Sequence, residues 1–243
     1  MKILGIDVGG TGIKGAIVNT ETGELISKRR RIATPQPATP EAVAETIQKL
    51  IEHFKWEGPV GCGFPTPLKN GKCLTGGNLH KDWKNLKVDD FFKNKTGNTF
   101  SVVNDADAAG LAEITFGAGK GVKGTVIMIT LGTGIGSTLF LDGKLVPNTE
   151  FGHVLHKNGS IFEKYAADSV RIEENLSRKQ WGKRLHKYFK HINLLLSPDL
   201  IIIGGGSSKK FSKFEAQINI DTEITPAKAE NDAGIIGAAL SAV

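Results

Sequence analysis

The chain has 243 residues, 40% of them hydrophobic and 23% charged, a composition typical of globular proteins and long enough for one large domain or two modest ones. No apolar run approaches the ~20 residues of a membrane helix. The opening residues lack a basic region followed by an apolar stretch and a cleavage site, so a cytoplasmic protein is expected. A net charge of +6 fits either plain solvation or an anionic partner. With no zinc finger, RNP aromatic motif or long basic helix, nucleic acid is the weaker candidate and a polyanionic substrate the stronger. Cys62 and Cys73 form no C-x-x-C pair and read as small core residues.

Strands are expected at 3–8 and 13–18 around Gly9-Gly10-Thr11-Gly12, and at 25–32 after the Thr22-Gly23 turn. Thr39-Pro40 opens a helix whose Val43, Ile47, Leu50, Ile51 and Phe54 share a face. A strand at 60–64 runs into Pro65-Thr66-Pro67. The polar stretch 69–89 then reads as a functional loop or lid with no core element. A strand at 100–103 ends at Asn104-Asp105, and 106–116 reads as helix. The second half repeats the plan, with strands at 125–131, 136–142 and 144–146 and helices at 161–176 and 178–196. In the last of these, Leu185, Tyr188, Phe189, Ile192 and Leu196 form an apolar stripe. A buried strand at 200–203 feeds Gly204-Gly205-Gly206, and 233–243 is a small apolar helix expected to lie between the halves.

The tetrapeptide Gly-Thr-Gly-Ile occurs at 10–13 and again at 132–135, each time between two strand-like runs. Glycine lets backbone N–H groups approach phosphate oxygens without a Cβ in the way. Only the first copy carries an acid, Asp7; Ile129 and Thr130 stand at the matching positions of the second. Two related halves closing on one phosphate-bearing ligand are implied, with the single carboxylate serving a metal. No low-complexity linker separates the halves, so the boundary near 105–120 is expected to act as a hinge.

Several residues admit two readings from local sequence. Asp105 is equally a general base or a helix N-cap, and Asp107 fits first-turn helix stabilisation. Asn78, Asn104, Glu150, His153 and Glu163 each read, taken alone, as ordinary surface or loop polar groups. Lys14 is a solvated strand lysine or a phosphate contact with equal claim. Lys209, Lys210 and Lys213 cluster after the triple glycine, where a solvated helix start is the plainer reading.

Taken together, DVGGTGIKG (7–15), ND (104–105), LGTGIGS (131–137), EFGH (150–153) and GGG (204–206) resemble the ROK family of sugar kinases. The GIKG of 12–15, NLHKDW of 78–83, FEKYAADSVRIEENLSRKQWGKRL of 162–185 and PDLIIIGGGSSKK of 198–210 are most similar to its polyphosphate-glucokinase branch. The match spans nearly the whole chain. It implies an α/β, actin/hexokinase-like (ribonuclease H-like) duplicated fold. Two lobes would flank a cleft: a smaller one at 1–107, completed by the helix at 233–243, and a larger one at 108–243.

The resemblance further implies transfer of a terminal phosphoryl group from inorganic polyphosphate, and also from ATP, to the 6-hydroxyl of glucose, with Mg²⁺. It makes Asp105 the base and gives Asn78, Asn104, Asp105, Glu150, His153 and Glu163 to the sugar. Gly9, Gly10, Thr11, Gly12, Lys14, Gly132, Thr133 and Gly134 go to phosphate, Gly204, Gly205, Gly206, Lys209 and Lys210 to the donor, and Asp7 to Mg²⁺ through water. Arg171, Arg178 and Arg184 are further candidates for a polyphosphate track.

The family's cysteine-rich zinc motif is replaced here by VLHKNGSIF, and His153 and His156 alone cannot complete a tetrahedral site, so no structural zinc is expected. A homodimer is implied, without nucleic acid or membrane. The competing readings are an ATP-only kinase of another sugar and a sugar sensor. Sensors of this family carry an N-terminal helix-turn-helix, for which a first strand starting at Ile3 leaves no room.

Overall fold

The computed structural model describes residues 1–76, 79–229 and 232–243. In chain order the elements are β1 (Lys2–Val8), β2 (Ile13–Asn19), β3 (Arg30–Ile32), α1 (Pro40–Phe54), β4 (Val60–Phe64), β5 (Leu68–Lys69) and β6 (Lys72–Cys73). There follow α2 (Val88–Thr96), β7 (Phe100–Asn104), α3 (Asp105–Phe116), β8 (Thr125–Leu131), β9 (Ile135–Leu141) and β10 (Lys144–Val146). The chain ends with α4 (Glu163–Ala166), α5 (Asp168–Glu173), α6 (Arg178–Leu196), β11 (Leu200–Gly204), β12 (Glu223–Pro226) and α7 (Ala233–Leu240). Two compact units result: Met1–Ala112 with Asp232–Val243, and Glu113–Asn231.

The first unit is built on a five-stranded sheet in the order β3-β2-β1-β4-β7, and the second on one in the order β10-β9-β8-β11-β12. In both, the first strand of the unit pairs antiparallel with the next and parallel with a later one. The duplication seen in the glycine motifs is therefore a duplication of topology.

In the first unit α1 is capped by Thr39, whose side chain accepts from the N–H of Ala42 at 3.3 Å, with Pro40 at the first helical position. Its buried face, including Val43, Ile47 and Leu50, covers the sheet. Three glycines let α7 lie close against neighbouring backbone. A Cβ on Gly5 would strike the carbonyl of Ile235, one on Gly61 that of Ala238, and one on Gly237 that of Ala108 in α3.

Three expectations from sequence need correction. The third strand is only Arg30–Ile32, with an isolated bridge at Val18 and Leu25. The N–H of Ile17 donates to the Ser27 hydroxyl at 2.9 Å, so a side chain stands where a ladder carbonyl would and the ladder is interrupted. The stretch 69–89 does contribute to the core: Cys73, Trp83 and Val88 are fully buried. Trp83 stacks at a tilt on Phe64, with ring centroids 4.6 Å apart, and its indole N–H donates to the carbonyl of Ala38 at 2.9 Å. One large ring fills what sparse polar sequence seemed unable to fill.

The expected helix at 161–176 is two short helices broken at Ala167, which is extended (φ −61°, ψ 154°). The helix α2 and the strand β12 went unread because neither is long enough to show a period. Both cysteines are buried, as expected, and burial pushes the Cys62 thiol well above its usual range.

In the second unit α6 begins at a capping box, Ser177 with Gln180, and buries Trp181, Leu185, Tyr188, Phe189 and Ile192. Glu113, fully buried, accepts from the N–H groups of Ala118 (2.8 Å), Lys228 (2.8 Å) and Ala229 (2.6 Å). It thereby fastens the start of this unit to the segment that leaves it.

Candidate active site

The first glycine turn links β1 to β2, and its carbonyls are tied back by neighbours. Gly12 O accepts from Gly9 N (3.1 Å), Gly9 O from the Thr34 hydroxyl (2.5 Å), and Thr11 O from the Arg31 guanidinium (2.6 Å). Gly10 and Thr11 at the tip are exposed. Asp7, at the end of β1, is largely buried, and its Oδ2 lies 3.0 Å from the ammonium of Lys14 on β2. Lys14 is thus paired rather than merely solvated. A side chain on Gly234 would come within 3.0 Å of the Asp7 carboxyl carbon, so glycine there keeps space beside the carboxylate. That opening, and a single hard oxygen donor group next to a phosphate turn, fit Mg²⁺, which retains waters and takes one or two carboxylates plus substrate phosphates.

Asn104 and Asp105 stand where β7 passes into α3. The Asn104 Oδ1 accepts from the N–H groups of Ala106 (2.9 Å) and Asp107 (3.4 Å), so Asn104 caps the helix. Asp105 follows as the first helical residue; its Oδ1 also accepts from Ala106 N at 2.8 Å, and the side chain is exposed. Asp107 is buried in the first turn. The Cα of Asp105 lies 3.9 Å from where a Cβ of Gly63 would stand, and Gly63 pairs directly with Asp7.

The second unit carries the other candidates. Its glycine turn mirrors the first: Gly134 O accepts from Gly132 N (3.0 Å), Gly132 O from Ser169 N (3.1 Å), and Thr133 O from the Ser169 hydroxyl (2.6 Å). The break at Ala167 brings Ser169 to this position. Glu163 Oε2 accepts from Ile135 N at 2.8 Å and lies against Gly134, where a Cβ would collide with it.

Glu150 and His153 flank the short turn Phe151–His153, which is fastened to β9. Phe151 N donates to the Ser137 hydroxyl (2.8 Å), which itself donates to Thr149 O (2.7 Å). His153 Nδ1 is 3.9 Å from Glu150 Oε2, beyond hydrogen-bond range, and its side chain is exposed.

The chain after β11 turns at Gly205 (φ 74°), whose carbonyl accepts from both the N–H (3.1 Å) and the hydroxyl (2.9 Å) of Ser208. Lys209 and Lys210 are exposed on the 3₁₀ turn that follows. Asn78 lies outside the described residues.

The arginines suggested for a polyphosphate track are committed elsewhere. Arg171 and Arg178 both bond Asp168 Oδ1, at 2.5 and 3.1 Å, and Arg184 pairs with Glu174. The Glu174 carboxyl is held below the usual range by that hydrogen bond. Sequence reading missed Thr34, Arg31 and Ser169, which hold the two turns; only tertiary contact reveals them.

The ROK family profile matches residues 3–163. The chain belongs to the ROK family. It is 44% identical to the polyphosphate glucokinase of Mycobacterium tuberculosis (strain CDC 1551 / Oshkosh) over 240 residues, which cover 98% of this chain and 90% of that protein. Among solved structures it matches the inorganic polyphosphate/ATP-glucomannokinase of Arthrobacter sp. strain KM with a TM-score of 0.92 and 45% identity, covering 98% of this chain and 97% of that one. A ROK glucokinase from Streptomyces griseus, crystallised with glucose and AMPPNP, shares the fold at 23% identity (TM-score 0.84; 98% of each chain). The architecture is thus the actin-like fold of ROK sugar kinases. No helix among the described residues is long and apolar enough to cross a membrane.

Proposed function

We propose that this ROK protein is a polyphosphate glucokinase that also accepts ATP, transferring a terminal phosphoryl group to the 6-hydroxyl of glucose. The observation that carries the reading is the division of labour at the start of α3. Asn104 caps the helix through two N–H groups, and the carboxylate of Asp105, which accepts from one of them and is exposed, is the group to take the hydroxyl proton as the new O–P bond forms. Full-length similarity to a polyphosphate glucokinase and to a glucomannokinase supports the donor and the acceptor.

Each unit supplies part of the machinery. In the first, the turn at Gly9, Gly10, Thr11 and Gly12 presents its tip to donor phosphate, and Asp7 is the residue for Mg²⁺. When bound, the metal would neutralise charge on the donor's phosphate oxygens. In the second, Glu150, His153 and Glu163 are suited to bonding sugar hydroxyls. Glu163 is the more rigid because it also holds Ile135 N. Gly132, Thr133 and Gly134 offer a second phosphate turn, and Gly204, Gly205 and Gly206 with Lys209 and Lys210 fit the far end of the donor. The resemblance also carries a homodimer acting in the cytoplasm.

The test is glucose 6-phosphate formation with ATP and with long-chain polyphosphate as separate donors. Product from both supports the reading; product from ATP alone leaves an ATP-only hexose kinase, and product from neither leaves a sugar sensor.

A further inference from the structure

The sheet face that bears Asp7 also bears a row of charge. Direct pairing sets Val103, Gly63, Asp7, Lys14 and Arg31 side by side across β7, β4, β1, β2 and β3. Directly paired residues project on the same face. With strands about 4.8 Å apart, Lys14 and Arg31 extend the row by about 10 Å beyond Asp7. The row starts beneath Asp105, whose Cα adjoins Gly63, and ends on β3, the edge of the sheet.

That edge is part of the run Lys28-Arg29-Arg30-Arg31. Arg29 is bound to Asp232 at 2.7 Å, while Lys28, Arg30 and Arg31 are exposed. Charged residues on an edge strand commonly serve to block edge-to-edge association. That role needs no particular side-chain position, yet Arg31 has one. Its guanidinium lies over Gly12, where any Cβ would collide with it, and donates to Thr11 O at 2.6 Å. One of its five N–H donors is engaged there, and the planar head is held at the rim of the phosphate turn.

We propose that Lys14 and Arg31, which share one face of the sheet, form a distal phosphate subsite that holds the phosphates of an inorganic polyphosphate behind the one being transferred. The inference rests on polyphosphate being a donor. A polymer with roughly one charge per phosphate gains from successive cations, as nucleic acid backbones do. ATP places an uncharged sugar and base after its third phosphate and gains less from the outer part of such a row.

The experiment compares the parent with Arg31→Ala, Arg31→Lys and the double variant Lys28→Ala/Arg30→Ala. Each is assayed with long-chain polyphosphate, tripolyphosphate and ATP across a range of salt. Arg31→Ala should raise KM for the long polymer about tenfold relative to KM for ATP, with kcat largely kept, because such contacts act equally in ground and transition states. The slope of log KM against log salt should fall by about one, and Arg31→Lys should recover most of the loss. Arg30 pairs with Gly15 and faces the other side of the sheet, so the double variant removes two nearby charges outside the row and should leave KM for the long polymer within about twofold of the parent.

Equal losses with polymer and ATP in Arg31→Ala would show that Arg31 only braces the turn. An unchanged polymer KM in Arg31→Ala, or a rise in the double variant as large as that in Arg31→Ala, would return the run to edge protection and general surface charge. Either overturns the subsite while leaving the donor reading intact. A parent that phosphorylates glucose from ATP and not from polyphosphate overturns the donor reading, and the subsite with it.

Discussion

Asn104 and Asp105 are neighbours in sequence, yet the passage from β7 to α3 gives them different duties. The amide accepts from the N–H groups of Ala106 and Asp107, and the carboxylate after it shares the first of these while its side chain stays exposed. Asp105→Asn keeps the shape and removes the proton acceptor, so kcat should fall by about 10² to 10⁴. Glucose affinity, read by calorimetry, should change little. A kcat within a few-fold of the parent would remove Asp105 from the mechanism. These two residues were legible because the motif places them side by side. Thr34, Arg31 and Ser169 were not: each reaches its turn from a distant part of the chain, and Ser169 does so only because a helix breaks at Ala167.

At the scale of elements, the interval that replaces the family's zinc motif closes on itself. His156 N donates to Ser160 O at 2.6 Å, Leu155 bridges to Ile161, and Phe162 N donates to Val154 O at 2.9 Å. The His156 ring stacks on Tyr165, with centroids 4.3 Å apart at 24°, and tilts against Phe162 at 4.6 Å. Aromatic packing therefore braces the loop between His153 and Glu163.

Burial first, and then the nearby Lys157, Lys187 and His191, hold the His156 pKa below the usual 6.5. A depressed pKa means that the neutral ring's contribution is present above about 6.5 and lost as pH falls through the folded-state value. His156→Phe keeps the ring and cannot titrate, so on acidification from about pH 7 to about pH 5 it should lose less thermal stability than the parent. Equal loss in both would mean that His156 does not carry the acid sensitivity. The stack could not be read in advance: VLHKNGSIF shows what is missing, whereas the partners Tyr165 and His191 come from other elements. The strand at 125–131, a β-branched run, was legible to the residue, as was the one at 60–64, marked off by Pro59 and Pro65.

Over the whole molecule, duplication was visible in eight residues and proved to extend to the strand order of two sheets. The return of the chain's last residues, Asp232–Val243, to the first unit depends instead on the glycines of β1 and β4 that admit α7. Glu113 holds the segment leading there. Glu113→Ala would leave three part-buried N–H groups without their acceptor, each costing roughly 1 kcal/mol. The measured loss should therefore exceed about 2 kcal/mol in denaturant unfolding.

The net charge of +6 sets the last prediction, because the lysines and arginines proposed for the donor occur in both units. Lys14 and Arg31 belong to the first, and Lys209 and Lys210, beyond the triple glycine, to the second. If Lys209 and Lys210 meet the polymer, changing both to Ala should raise KM for long polyphosphate more than KM for ATP and lower the salt slope by about two. If they meet the nucleotide, KM for ATP should rise more, and combining their loss with Arg31→Ala should raise KM for the polymer no further than Arg31→Ala alone. Kinetics at several salt concentrations separate the two outcomes, since a contact to a screened polyanion changes the slope whereas a contact to a base or ribose changes only the intercept.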